Sequence, residues 1–349
     1  MAYTLIPTHT MRHEYTYYPN LGQMQESPRN FVLCVDGTWN LPAGDEKNNG
    51  SASNVLKLYG LLADSSRQFA RYFPGVGAPA EASVGGPPLG GDGASADLLR
   101  DQAYVVLVTN YRPGDRIFLF GFSRGAAIAR MLAQKIHQRG IPEAIRIVKN
   151  MRGEVVAFEN RGGFRPVDIE LVGVWETMAA FGIPNGPFQK INLFKNLTVA
   201  PNIKQALHLV AVDENREILT PTQMNRQDKV EEVWFPGGHE DVGGGVPQEG
   251  LSDLSLAYMM KKAQALGLTF KDNAFQQIHP NPAADIYPHR VLPAGWTQKP
   301  REIGVLEDGR LNPARSPNLH VSVKQKMAAD PEYRPANVEA LKGQITWVE

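Results

Sequence analysis

Short apolar runs alternate with segments of helical spacing along most of this chain, and that alternation leaves few folds open. Phe31–Val35, Ile117–Phe120, Ile169–Trp175, Ala206–Val212 and Val233–Phe235 are the runs, with a weaker one at Phe69–Phe73. Runs this short and this uniformly apolar are the mark of parallel strands buried on both faces. Between them, Asn54–Leu62, Ala96–Asn110, Ala126–Gln138 (stopped by Gly140) and Leu251–Leu266 (followed by Gly267) place apolar residues at helical intervals. Strands alternating with helices predict an α/β fold: a mostly parallel sheet with helices on both faces. The flanks break the pattern. Residues 1–29 read as an irregular arm, and residues 271–349 as a polar, Pro-rich, irregular extension packed on the same domain. The core domain is expected over 30–270. A Gly-rich loop at Ala82–Ala94 and an apolar insertion at about 178–202 interrupt it.

Composition narrows the function. Lys and Arg number 36 and Asp and Glu 36, so no overall basic field draws the chain to nucleic acid. The one cysteine, Cys34, rules out an internal disulfide, and no spacing of ligand residues calls for a metal. The chemistry expected here needs no cofactor. No apolar run is long enough to cross a bilayer, and the first twenty residues lack a basic region followed by an apolar stretch. Synthesis in the cytoplasm without a signal peptide is therefore expected.

The segment Ile117–Ala127 carries the strongest chemical signal. Gly121, Ser123 and Gly125 form a GxSxG where an apolar strand gives way to an Ala-rich helix. A serine on so sharp a turn requires neighbours without side chains at both flanking positions, and the helix that follows aims its N-terminal dipole at the hydroxyl. Ser123 is the candidate nucleophile, and the backbone N–H of Arg124 a candidate oxyanion donor. A second donor is expected from the loop after the first strand, at Gly37 or Thr38, with Asp36 bracing the turn.

A serine hydroxyl needs a base, and the base an acid to orient it. His239 sits on a Gly-rich loop just after the strand Val233–Phe235, where reactive groups collect in open α/β sheets, and is the favoured base. His320 is the alternative. His137 lies late on the helix after the elbow, and His208 lies inside a strand, as a hydrogen-bonded core residue would. The acid is either Glu176, which is favoured, or Asp213; each ends a strand. Asp241 is a third option, more in keeping with shaping its own loop.

Five ordered motifs carry a family resemblance: Val35–Asn40, Gly121–Ala126, Val172–Thr177, His208–Glu214 and Val233–Gly245. Over about residues 31–266 the chain resembles the α/β-hydrolase catalytic domain of type VI secretion lipase effectors of the first class. That resemblance implies an α/β-hydrolase-like fold and an esterase acting on lipid, most simply a phospholipase working through an acyl-enzyme. It also implies a Ser–Asp–His triad whose acid lies in a Trp-Asp-Thr motif. Here position 176 is Glu, which leaves Asp213 open as the acid. It further implies contact-dependent delivery into a rival cell, with a secretion-apparatus partner and an immunity protein. The insertion Phe181–Leu197, with Lys190 and Lys195, suits an acyl chain and shallow, reversible contact with an anionic membrane surface. A soluble carboxylesterase and a catalytically silent interaction module are the alternatives.

Overall fold

A computed structural model of the chain describes residues 14–17, 28–37, 51–76, 93–150, 152–181, 191–192, 198–288 and 297–349. Eight strands form one sheet: β1 (Asn30–Val35), β2 (Gln68–Phe73), β3 (Arg116–Phe122), β4 (Ile169–Trp175), β5 (Ile203–Ala211), β6 (Val230–Phe235), β7 (Asn318–His320) and β8 (Thr346–Val348). Their spatial order is 2-1-3-4-5-6-7-8, and each neighbouring pair is parallel. The order reverses between β1 and β3. In open sheets of this kind the crevice at the carboxyl end of such a switch point is where ligands bind.

Period-two alternation explains the layers. Phe31, Leu33 and Val35 of β1 face one core with α2 (Gly93–Asn110) and α3 (Arg124–Arg139), whereas Val32 and Cys34 face the other. That second core holds α1 (Asn54–Leu61) and α5 (Gly250–Ala265), with Phe118, Phe120 and Trp175 between them. All five of the apolar runs and the weaker sixth lie within or overlap strands. The four helical segments match α1, α2, α3 and α5.

Two expectations are corrected. The C-terminal extension is not wholly irregular, since β7 and β8 extend the sheet and α6 (Ser322–Ala329) follows β7. Leu319 and Val323 pack there on Val210 and Trp234 in a third, smaller core. Nor is the N-terminal arm wholly irregular: Glu14–Tyr17 pairs antiparallel with Ile145–Lys149. The Gly-rich loop at Ala82–Ala94 lies almost wholly outside the described residues. So does most of the apolar insertion, Lys190 and Lys195 included. Its described part is the antiparallel pair Ala180–Phe181 and Ile191–Asn192, followed from residue 198 by the approach to β5. Among the described residues no helix is long and apolar enough to cross a membrane.

Candidate active site

The elbow forms where β3 runs into α3. Ser123 takes φ 55° and ψ −122°, a backbone conformation that side-chain-bearing residues rarely adopt. Strain of this kind persists only where its surroundings over-determine it. Here the Ser123 N–H donates to Trp175 O at 3.0 Å, and the Ser123 carbonyl accepts from Met178 N at 3.0 Å. The flanking glycines are sterically required. A Cβ at Gly121 would lie 2.6 Å from the Gly125 carbonyl oxygen, and one at Gly125 would lie 2.3 Å from the carbonyl oxygens of both Val35 and Asp36. Close backbone approach therefore ties the elbow to the end of β1. Ser123 is half-buried, and its hydroxyl has no hydrogen-bond partner among the described residues.

Glu176 follows β4 with φ 50°, a second residue held in the left-handed region. Its side chain is fully buried, and both oxygens are saturated. Oε2 accepts from His239 Nδ1 and Arg301 Nη2, each at 2.7 Å. Oε1 accepts from Arg301 Nη1 at 2.7 Å and from Ala211 N at 2.8 Å. Burial would raise this carboxyl, but the charge of Arg301 and the hydrogen bond from His239 outweigh it and hold Glu176 far below the usual carboxylate range. An ionised carboxylate only accepts hydrogen bonds, so Nδ1 of His239 carries the proton of this bond and Nε2 faces away from Glu176.

His239 opens the short helix α4 (His239–Gly243) after β6. Its ring lies 4.8 Å, centroid to centroid, from that of Phe122, the residue before Ser123, and its own N–H donates to Glu214 Oε2 at 3.1 Å. The elbow, Glu176 and His239 thus meet at the carboxyl ends of β3, β4 and β6. Among the described residues no hydrogen bond joins Ser123 to His239.

The other candidates have different partners. Asp213 accepts from Gly237 N at 2.6 Å and Tyr333 Oη at 2.7 Å, which pins the turn before His239 without touching the imidazole. Asp241 accepts from Gly238 N at 2.8 Å and Tyr287 N at 3.1 Å, and burial pushes it up to about 6. His320 stacks on Phe235 with ring centroids 4.5 Å apart and hydrogen bonds to Ser322; burial, then the charge of Lys261, takes it down to about 4. His208 is the core residue its strand position suggested. Its Nε2 accepts from Thr177 N at 3.1 Å and its Nδ1 meets Glu232 at 2.8 Å, which steadies the chain just after Glu176.

At the loop after β1, Asp36 is buried. Its Oδ2 accepts from Ser53 Oγ and Tyr72 Oη, and its Oδ1 from Gly37 N, all at 2.6 Å. The Gly37 amide is thus turned onto Asp36 rather than held open. Thr38 lies outside the described residues. Arg124 is the first residue of α3, so its N–H belongs to the turn that points out of the helix N-terminus. Among the described residues no group of three His, Cys, Asp or Glu is placed to hold a metal.

The family model described as the catalytic domain of Tle1-like phospholipase effectors of the type VI secretion system matches residues 29–161 and 148–262. The chain belongs to this family. Every element bearing Ser123, Glu176 and His239 falls inside the Tle1-like match. An uncharacterised protein of Saccharomyces cerevisiae, YEL023C, is 37% identical over 143 residues, covering 35% of this chain and 19% of that one. Two solved structures overlap in part. An uncharacterised protein from Pseudomonas aeruginosa has a TM-score of 0.45 and 20% identity, over 71% of this chain and 47% of that one. The Tle1 effector bound to the VgrG spike of the type 6 secretion system has a TM-score of 0.39 and 19% identity, over 68% and 58%. The chain therefore spans about a fifth of the yeast protein and about half of each of the two structures.

Two residues of this Tle1-like site are not singled out as site candidates by the sequence. Arg301 lies in the C-terminal segment, past the family match, and Glu214 closes the motif His208–Glu214 beside the candidate acid Asp213. Glu214 is buried; burial would raise it, but hydrogen bonds and charge from Arg216 bring it down to about 2. A carboxylate depressed in the folded state stabilises above its unfolded value near 4.5, and that contribution is lost as pH falls toward 2. The thermal midpoint should accordingly drop steeply between pH 4.5 and 2, Glu176 adding to the fall in the same sense. At pH 7 Glu214→Gln is expected to lose about 2 kcal/mol, because Arg216 keeps only Glu240, and the gap from wild type should narrow as pH falls. Calorimetry across that range measures it; a gap that stays constant would mean the pair does not titrate with folding.

Proposed function

We propose that this Tle1-like domain is a serine hydrolase that cleaves carboxylic ester bonds of lipids, and specifically a phospholipase of A type. Ser123 is the nucleophile, His239 the general base and Glu176 the acid that orients it. One observation carries the reading: beside a serine held at φ 55° on a strand-to-helix turn, an imidazole packed 4.8 Å from the ring of Phe122 is hydrogen-bonded at 2.7 Å to a buried carboxylate.

The chemistry follows from that arrangement. With its Nδ1 proton held by Glu176, His239 takes the Ser123 proton on Nε2 as Oγ bonds to the ester carbonyl carbon. Charge gathers on the carbonyl oxygen, near the N-terminus of α3, where the Arg124 N–H is proposed as one donor and Thr38 as the second, the Gly37 N–H being taken up by Asp36. The bond to the alkoxy leaving group then breaks as His239 returns the proton to it. Water, deprotonated by the same imidazole, attacks the acyl-enzyme, releasing the fatty acid and restoring Ser123. The domain is read as 30–270, with a short arm before it and residues 271–349 packed on it. The insertion at about 178–202 supplies acyl-chain contact and shallow membrane contact. An immunity protein, a secretion-apparatus partner and delivery into a target cell complete the reading.

The test pairs purified protein with vesicles of acyl-labelled phosphatidylglycerol or phosphatidylcholine, with a short-chain nitrophenyl ester, and with a fluorophosphonate probe. Fatty acid release and covalent labelling at Ser123 are expected. Turnover of the short ester alone would make the protein a soluble carboxylesterase. Neither turnover nor labelling would leave a silent interaction module.

A further inference from the structure

Arg301 reaches the site from outside the matched catalytic region, and its geometry is unusually constrained. It is 7% exposed, and each terminal nitrogen donates twice: Nη1 to Glu176 Oε1 and to Ala211 O at 2.8 Å, Nη2 to Glu176 Oε2 and to Leu219 O at 2.6 Å. The chain just before it is tied down as well. Glu217 N donates to Thr297 O at 3.0 Å and Lys299 N to Asn215 O at 2.7 Å, so residues 297–299 run along the loop after β5. A planar guanidinium held by four bonds fixes the plane of the carboxylate it grips, which an ammonium on a flexible stem does not.

We propose that Arg301 is a positioning residue for ester hydrolysis: it clamps Glu176 so that Oε2 meets Nδ1 of His239, and its charge offsets part of the pull the carboxylate exerts on the imidazolium. The inference rests on the proposed roles of Ser123, His239 and Glu176. A glutamate has one more rotatable bond than an aspartate, and side-chain freedom there would smear the position of the imidazole. Two bonds to Arg301, one to Ala211 N and one to His239 leave the carboxylate a single orientation. The charges about His239 come from several elements. Glu176 follows β4, and Asp213, Glu214 and Arg216 follow β5. Glu240 and Asp241 lie on α4 itself, and Arg301 comes from the C-terminal segment. Arg216 is paired with both Glu214 and Glu240, so among these carboxylates Glu176, which alone is both ion-paired to Arg301 and bonded to the ring, loses the most when Arg301 is removed.

Wild type, Arg301→Met and Arg301→Lys are compared in kcat and KM for a short-chain nitrophenyl ester from pH 4.5 to 9, with near-ultraviolet circular dichroism reporting the fold. Arg301→Met is expected to lower kcat about 100-fold with KM within about threefold, as misorientation at a reacting centre does. Its acidic limb should move up by about one pH unit, because a lost cation favours the imidazolium. Arg301→Lys keeps the charge without the fork, so its limb should stay with wild type while kcat falls about tenfold. A folded Arg301→Met with an unmoved limb, or with the loss carried by KM, overturns the inference. If that variant does not fold, Arg301→Lys decides: kcat equal to wild type overturns the clamp. A wild type that turns over no ester removes the proposed function, and the inference with it. An active wild type with indifferent variants removes the inference alone.

Discussion

Replacing Ser123 with Ala is expected to lower kcat/KM for ester hydrolysis by about 10⁴- to 10⁶-fold and to leave the fold intact. The size of the first effect follows from chemistry, since no other hydroxyl shares the elbow and the acyl-enzyme needs an oxygen at this position. The absence of the second follows from the structure. The Ser123 hydroxyl has no hydrogen-bond partner among the described residues and the side chain is half-buried, so its removal orphans no buried group and opens no core cavity. A stability change within about 0.5 kcal/mol is expected. Ser123→Gly sharpens the contrast. At φ 55° and ψ −122° a glycine sheds the strain that any side chain meets there, so this variant should be equally inactive yet about 1 kcal/mol more stable. Loss of activity with a gain in stability is the behaviour of a residue kept for chemistry at a cost to folding. Ester kinetics beside denaturant unfolding of both variants measures it. Activity of Ser123→Ala within tenfold of wild type would remove Ser123 as the nucleophile.

What the sequence made legible, and what it hid, depends on where the specifying contacts lie. β1, β3 and β4 announce themselves because a central parallel strand is buried on both faces, so nearly every residue of Phe31–Val35 must be apolar. The elbow was readable for a similar reason: its constraint is local, with Gly121, Ser123 and Gly125 meeting within five residues. β7 and β8 are three residues each and contain Asn, His, Thr and Trp, too short and too mixed for any period to show. They become strands because β6 offers an open edge and Leu319 packs beside Trp234. Position narrows the candidate bases, since His320 is the last residue of β7 and His239 follows β6, but only His239 lies against the elbow. The acid could not, because Glu176 and Asp213 end neighbouring strands and direction, not position, separates them. Arg301 was hidden altogether. Gln298-Lys299-Pro300-Arg301 looks like solvated tail, and the one clue is indirect: a glutamate at the end of a buried central strand calls for a cation somewhere.

Glu176→Ala and Asp213→Ala should separate cleanly, and by a wide margin. Without Glu176 the imidazole loses the partner that fixes its tautomer and its ring, and turnover should fall about 10³- to 10⁴-fold. The same change strands Arg301 in the interior with only carbonyl partners, so stability should fall by about 3–5 kcal/mol. Asp213→Ala instead removes an acceptor from Gly237 N and Tyr333 Oη. That costs about 1–3 kcal/mol of stability, while turnover should stay within tenfold because the His239–Glu176 bond is untouched. The two consequences of losing Glu176 can also be pulled apart. In Glu176→Ala/Arg301→Met no charge is left unpaired, so stability should recover part of the loss, by about 1–3 kcal/mol of coupling. Turnover should not recover, since neither replacement can orient His239. Stability that fails to rise in the double variant would mean that the pair is not coupled in the folded protein. A large rate loss in Asp213→Ala, with Glu176→Ala close to wild type, would move the acid to β5 and undo the assignment.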